Sequence, residues 1–262
     1  MSAREKNWLG LSGKTALITG AASGIGLAIT RAFLDAGSAV VMLDCNPDVV
    51  SIARQLSNET GCRADAHIVD VRNHSELERV RATLEESARP IDVLIPNAGV
   101  NVRKPFIELG REQVDAIIET NLTGVVTTMR IFGPMLFGRD GASVVITSSA
   151  AAMHGMVLRA VYSATKAGTS GLARSVAMEW GPHGVRVNAV GPGVIRTPLT
   201  QAYMKQFPER ETAAQTQVPL GRVGTPEEVA DVVIMLAGQP ARFMTGQTLY
   251  VDGGLTAGTS WW

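Results

Sequence analysis

The stretch "TGAASGIG", Thr19 to Gly26, does most to narrow what this chain can fold into. It follows "KTALIT", which reads as a strand, and it opens "GIGLAITRAFLDAG", which reads as a helix stopped by Gly37. The same alternation continues to the end of the chain. "SAVVML", "DAHIVD", "IDVLIP", "GASVVITSS", "GVRVNAV" and "QTLYVD" read as strands. Helical patterns cover about 47–60, 75–87, 111–137, 161–180 and "TPEEVADVVIMLAG", with Thr225 as cap. The strands are apolar without strict alternation, as expected of strands buried on both faces. The prediction is an α/β chain, a doubly wound parallel sheet with helices on both faces, binding ligands beyond the strands' carboxyl ends. With 262 residues and no internal repeat, one domain over 1–262 is expected. Residues 1–12 read as an N-terminal extension, and 191–219 as one long substrate loop.

Glycines at 20, 24 and 26 let the backbone approach a pyrophosphate at the helix N-terminus, where N–H groups lack partners. Ser23 and Ile25 belong to the same loop. Asp44 ends the second strand, where a carboxylate can accept hydrogen bonds from an adenosine ribose. A 2′-phosphate there would place two like charges ~4 Å apart, at roughly 4 kcal/mol, or about a thousandfold in affinity. Cys45 and Asn46 follow Asp44, and the glycine loop holds no Arg or Lys to offset that repulsion. The cofactor reading is therefore NAD, not NADP.

Bulk properties exclude several functions. Lys plus Arg and Asp plus Glu are 24 each, so no charge imbalance points to nucleic acid or an anionic membrane. No apolar run is long enough to span a bilayer, and "MSAREKNWLG" is not followed by a signal-type stretch. Cys45, Cys62 and four scattered histidines show no metal or disulfide spacing. A soluble, reducing, cytoplasmic setting with no metal is the expectation.

"AVYSATKAGTSG" places Lys166 one helical turn after Tyr162. A phenol with a pKa near ~10 is a poor base at neutral pH, and a cation on the same helix face would lower it. With this pair, the glycine loop, "NAG" at 97–99, "TNLTG" around Asn121, "SS" at 148–149 and "GPGVIRT" at 191–197, the chain resembles the short-chain dehydrogenase/reductase family over nearly its whole length. The resemblance implies a catalytic set. Tyr162 would be the general acid/base, and Lys166 would also bind the nicotinamide ribose. Ser149 would hold the substrate oxygen, and Asn121 would position a water near the lysine. It further implies that Asp70 and Val71 contact adenine, and that Asn97, Ala98 and Gly99 line the adenosine side. Pro192, Gly193, Ile195 and Thr197 would then meet the nicotinamide, Thr197 at its carboxamide. Pro96 departs from the family's frequent Asn or Ala and puts the hydrogen bonding of that strand end in question.

The family commonly packs the 161–180 helix in a subunit interface, which implies a homotetramer. Ala164, Ala167, Gly168, Gly171 and Ala173 suit close packing, although an intrachain contact would have the same composition. For the small-molecule substrate, Arg103, Met156 and Arg159 are the candidates. "NAGVNVRKP" and "LYVDGGLTAG" are similar to the gluconate and sugar-acid dehydrogenase branch, and arginines suit a carboxylate. Two alternatives stand beside a sugar-acid or polyol dehydrogenase. A 3-oxoacyl thioester (acyl-carrier-protein) reductase would usually take NADPH, which Asp44 opposes. A non-catalytic NAD-binding sensor or scaffold would not need the Asn–Ser–Tyr–Lys set.

Overall fold

Consecutive residues of the first strand, Leu17 and Ile18, are both fully buried but belong to opposite faces of the sheet, each with its own core. Burial on both faces explains the missing polar alternation. The structure is a computed structural model and describes residues 8–258. Its strands are β1 (Thr15–Thr19), β2 (Ala39–Asp44), β3 (Ala64–Ile68), β4 (Val93–Ile95), β5 (Ser143–Thr147), β6 (Arg186–Pro192) and β7 (Thr248–Val251). All pair in parallel, in the order β3-β2-β1-β4-β5-β6-β7. The doubly wound α/β expectation is met.

One face is covered by α1 (Gly24–Asp35), α2 (Val49–Thr60) and α9 (Pro226–Ala237), through Ile29, Phe33, Leu56, Val233 and Leu236. The other carries α3 (His74–Glu86), α5 (Gly124–Phe132) and α6 (Ala160–Trp180), through Leu77, Leu84, Met129, Phe132 and Ala173. Thr225 caps α9 as expected, accepting from the Glu228 N–H at 3.4 Å. Strand order reverses between β1 and β4, so the loops after these strands diverge around a crevice. Thr19 Oγ1 accepts from the Asn97 and Ala98 N–H groups at 2.9 and 3.0 Å, fixing one loop against the other. Pro96 has no N–H to give, but it still ties β4 to β5 through its carbonyl, which accepts from the Thr147 N–H at 3.0 Å.

Three expectations change. The long loop at 191–219 is not a loop. β6 runs to Pro192, and the rest contains α7 (Pro198–Gln206) and α8 (Pro208–Gln217). Polar composition hid these helices, although Thr197 capping a helix that begins with Pro198 is a start signal. The helix expected over 111–137 is interrupted. α4 (Arg111–Ile118) passes into a π turn at Glu119–Thr123 before α5 begins, and a 3-10 turn at Gly133–Leu136 ends the run. Finally, the described part of the N-terminal extension packs onto the domain: Leu9 and Leu11 are buried, and the Leu9 carbonyl accepts from the Gln239 N–H. Residues 1–7 and the Trp261–Trp262 tail lie outside the described residues.

Candidate active site

The loop after β1 needs its glycines for different reasons. Gly20 and Gly24 have φ of +65° and +52°, a region that disfavours side chains. At Gly26 a Cβ would collide with the Gly20 carbonyl oxygen. Helix α1 then starts without a side-chain cap from Ser23 and without an acid in its first turn. Its N-terminal N–H groups therefore remain available to an anion, so the residues present fit a dinucleotide's pyrophosphate.

Asp44 stands at the next strand end with both carboxylate oxygens engaged, accepting from the Ala22 and Asn46 N–H groups at 2.9 Å each. A cavity of about 440 Å³ runs from the glycine loop past Asp44, Asp70 and Val71 to Ser149 and Tyr162. Ser23, Ile25, Asn97, Ala98 and Gly99 also line it, as do Pro192, Gly193, Ile195 and Thr197. Gly99 has no room to spare, since a Cβ would lie 3.3 Å from Asn121 Oδ1.

Sequence reasoning missed Arg72. It lines the same cavity and clamps Asp70, with Nε 3.0 Å and Nη2 2.6 Å from Oδ2. This hydrogen bonding holds the Asp70 carboxyl below its ordinary range, against a smaller opposing effect of burial. Arg72 is remote from Asp44 in sequence, and only the pairing of β2 with β3 brings the two strand ends together. The signal available was its place two residues after Asp70.

At the other end of the cavity, the adjacent serines separate. The Ser148 hydroxyl donates to the Lys166 carbonyl at 2.9 Å and pairs with Ser170 at 2.9 Å, so it holds α6. Ser149 lines the cavity with Tyr162, and its Oγ accepts from the Ala151 N–H at 3.1 Å. Burial raises the pKa of the Tyr162 phenol; the Ser149 hydroxyl, then the charges of Arg159 and Arg103, work in the lowering direction. The field expected from Lys166 is thus carried by the two arginines. The Lys166 ammonium instead turns to the end of β5, donating to the Thr147 carbonyl at 2.7 Å, and lies 5.8 Å from the Tyr162 ring centre. Burial pulls its pKa down to about 8.

Asn121 sits fully buried in the π turn. Its Nδ2 donates to the Val100 carbonyl and its Oδ1 accepts from the Val100 N–H, each at 2.8 Å. It pins the loop after β4 and does not line the cavity.

Arg103 and Arg159 both line the cavity beside Tyr162. Arg159 is the residue before α6, with φ −135°, so it reaches the site from the cap position and not from the helix. Neither guanidinium has a carboxylate within 4.0 Å among the described residues. Burial lowers the pKa of each, and for Arg103 the charge of Arg159 adds to that. Met156 does not line the cavity; its sulfur accepts from Arg159 Nη1 at 3.4 Å. Met153 is exposed and His154 lies off the cavity. Among the described residues no His, Cys, Asp and Glu cluster could hold a metal ion.

One cavity therefore joins an anion-binding helix terminus to a part-buried phenol and a hydroxyl. A dinucleotide and a substrate oxygen can lie side by side in it, which is the layout of nicotinamide-dependent oxidoreductases. A family model described as enoyl-(acyl carrier protein) reductase matches residues 20–256. The chain is 36% identical over 248 residues to the 3-oxoacyl-[acyl-carrier-protein] reductase FabG of Thermotoga maritima, covering 94% of this chain and 98% of the relative. A candidate gluconate dehydrogenase from Agrobacterium tumefaciens superposes with a TM-score of 0.90 at 31% identity, covering 95% of this chain and 98% of that one. A candidate NAD(P)-dependent gluconate 5-dehydrogenase from Beutenbergia cavernae, with NADP bound at low occupancy, gives 0.89 at 33% identity with the same coverage. The chain belongs to the short-chain dehydrogenase/reductase family. It is an oxidoreductase of that family, which binds a nicotinamide cofactor.

Proposed function

We propose that the protein interconverts a secondary alcohol and a ketone with NAD, on a sugar acid or related polyhydroxylated anion. The observation that carries this reading is the pair of part-buried arginines beside Tyr162 and Ser149 without a carboxylate partner. Desolvated cations are costly unless an anion compensates them, and a substrate carboxylate would do so. Ser149 and Tyr162 hold the reacting oxygen, and Tyr162 exchanges a proton with it. The nicotinamide, when bound, supplies the hydride donor or acceptor. Lys166 gives hydrogen bonds to the nicotinamide ribose, Asp44 accepts from the adenosine ribose, and the α1 N–H groups take the pyrophosphate. Asn121 acts on this set by fixing the loop at 97–101.

A charge-assisted hydrogen bond contributes roughly 1.5–3 kcal/mol, so Arg103→Ala and Arg159→Ala should each raise KM by about ten- to a hundredfold. Interactions kept through the reaction leave kcat little changed. The assay is NADH formation across a panel of hydroxy acids and polyols, each acid paired with an uncharged analogue. An unchanged KM in both variants means that the sugar-acid reading should be dropped. A 3-oxoacyl thioester reductase remains the second reading, favoured by the relative from Thermotoga maritima; turnover of an acyl thioester alone would select it.

Lys166 makes cofactor binding pH-sensitive in a defined direction. Its ammonium, the donating form, is lost as pH rises through about 8. NAD affinity should therefore weaken above that pH, read by fluorescence titration at successive pH values; a flat profile would remove the ammonium from the ribose site. Stability moves the other way. Between about 8 in the folded chain and ~10.4 in the unfolded one, the unfolded state binds more protons, so stability rises with pH there.

The assembly is proposed to be a homotetramer through α6. Ala164 and Ala167 are exposed, as is Met178 at 80%, while Ala173 is buried within the chain and Gly168 faces Leu122. Only part of the small-residue set is thus left for a partner. Sedimentation showing only monomer at micromolar concentration would rule the assembly out. The two free thiols fit a reducing, cytoplasmic setting.

A further inference from the structure

The least conventional support in the cavity wall is the one under Arg103. We infer that Tyr203 is a positioning residue for Arg103, making the helix over the cavity and the substrate-anion grip one mechanical unit. This rests on the reading of Arg103 as an anion-binding residue. The Arg103 guanidinium carbon stands 3.6 Å from the centre of the Tyr203 ring, within the range of a cation–π contact. Tyr203 lies on α7, and its ring packs against Phe207 with centroids 5.1 Å apart at 46°. The next residue, Met204, is buried and anchors the helix. The start of α7 is itself cavity wall, since Thr197, Pro198 and Thr200 line it.

The chemistry of this support is specific. A carboxylate partner would occupy the in-plane N–H groups of the guanidinium and neutralise it. An aromatic ring occupies only the flat face, leaving the in-plane donors free for a bidentate anion. Tyr203 therefore restrains Arg103 without competing with a substrate. Tyr203 does not line the cavity, so it acts through Arg103. The coupling is reciprocal: the arginine that grips the anion also fastens α7.

Two measurements test this. The first needs no substrate: hydrogen exchange of amides 199–206 in the NAD-loaded protein, wild type against Arg103→Ala. Loss of the contact should speed exchange several-fold in α7 while β1 and β5 keep their protection. Unchanged exchange in α7 overturns the proposal. The second uses D-gluconate as the probe, with D-glucitol as its uncharged counterpart. Tyr203→Ala should raise KM for gluconate by about fivefold or more, the size of one partly desolvated cation–π contact. The KM for NAD should stay unchanged and kcat within about twofold, by the logic of uniform binding. Tyr203→Phe keeps the ring and should restore the wild-type KM. If Arg103→Ala raises the gluconate KM and Tyr203→Ala does not, the positioning role is wrong while the anion site stands. If Arg103→Ala leaves KM unchanged, or gluconate is not turned over, the substrate reading is what fails for this probe, and the exchange measurement alone decides whether Tyr203 holds Arg103.

Discussion

Tyr162→Phe is expected to lower kcat by roughly a thousandfold, the middle of the range for losing a general acid/base. The substitution removes one hydroxyl from a ring that is otherwise kept, so packing at the start of α6 should survive. Affinity for the cofactor should be unchanged, because the Tyr162 ring and the Lys166 ammonium stay in place. The rate should also depend on pH with opposite sign in the two directions. Burial raises the phenol's pKa, so at neutral pH the hydroxyl is protonated and ready to donate to a ketone. Alcohol oxidation needs the phenolate and should speed up as pH rises. Single-turnover NADH formation, with a parallel fluorescence titration of NAD, separates chemistry from binding. A variant that turns over at near wild-type rate would falsify the proton-transfer role.

NAD is expected to bind about a thousandfold more tightly than NADP, and Asp44→Ala should close most of that gap. The Asp44 carboxylate is held by two backbone N–H groups, from Ala22 and Asn46, and has no free rotation by which to avoid a 2′-phosphate. Arg72 is the one feature that works against this, because it lines the same cavity. Its guanidinium is already engaged by Asp70 through contacts of 2.6 to 3.1 Å, which leaves less of it for a phosphate. The relative with NADP bound shows that a similar fold accepts the phosphate, so the choice rests on these local side chains. Titration of both cofactors against wild type and Asp44→Ala decides it. Equal affinities in the wild type would sink the claim and make Arg72→Ala the next variant to test.

The order of strands and helices was legible from the sequence because apolar periodicity and glycine stops are local properties. So was the glycine loop, whose backbone needs show directly as residue type: only glycine fits where a Cβ would meet the Gly20 carbonyl oxygen. Tyr162 and Lys166 were legible because a single helix carries both. What sequence could not supply was the direction of long side chains. Lys166 was expected to set the Tyr162 charge environment, yet it points to Thr147 while Arg159 and Arg103 act on the phenol. Asn121 looked like a mid-helix residue, and a π turn makes it the pin of the β4 loop instead. The helices α7 and α8 were hidden because their residues lack an apolar period; α7 is started by the Thr197 cap and Pro198, and its first turn lines the cavity. Arg72 and Tyr203 came into view only with the tertiary structure. Tyr203 meets Arg103 across separate elements, and Arg72 comes near Asp44 only through the pairing of β2 with β3; no local pattern encodes such distances. Sequence thus determined the strands and the helices that cover the sheet, the anion-binding turn and the proton-transfer pair. Tertiary packing decided which charges face the reacting oxygen, because that depends on where separate elements place their side chains.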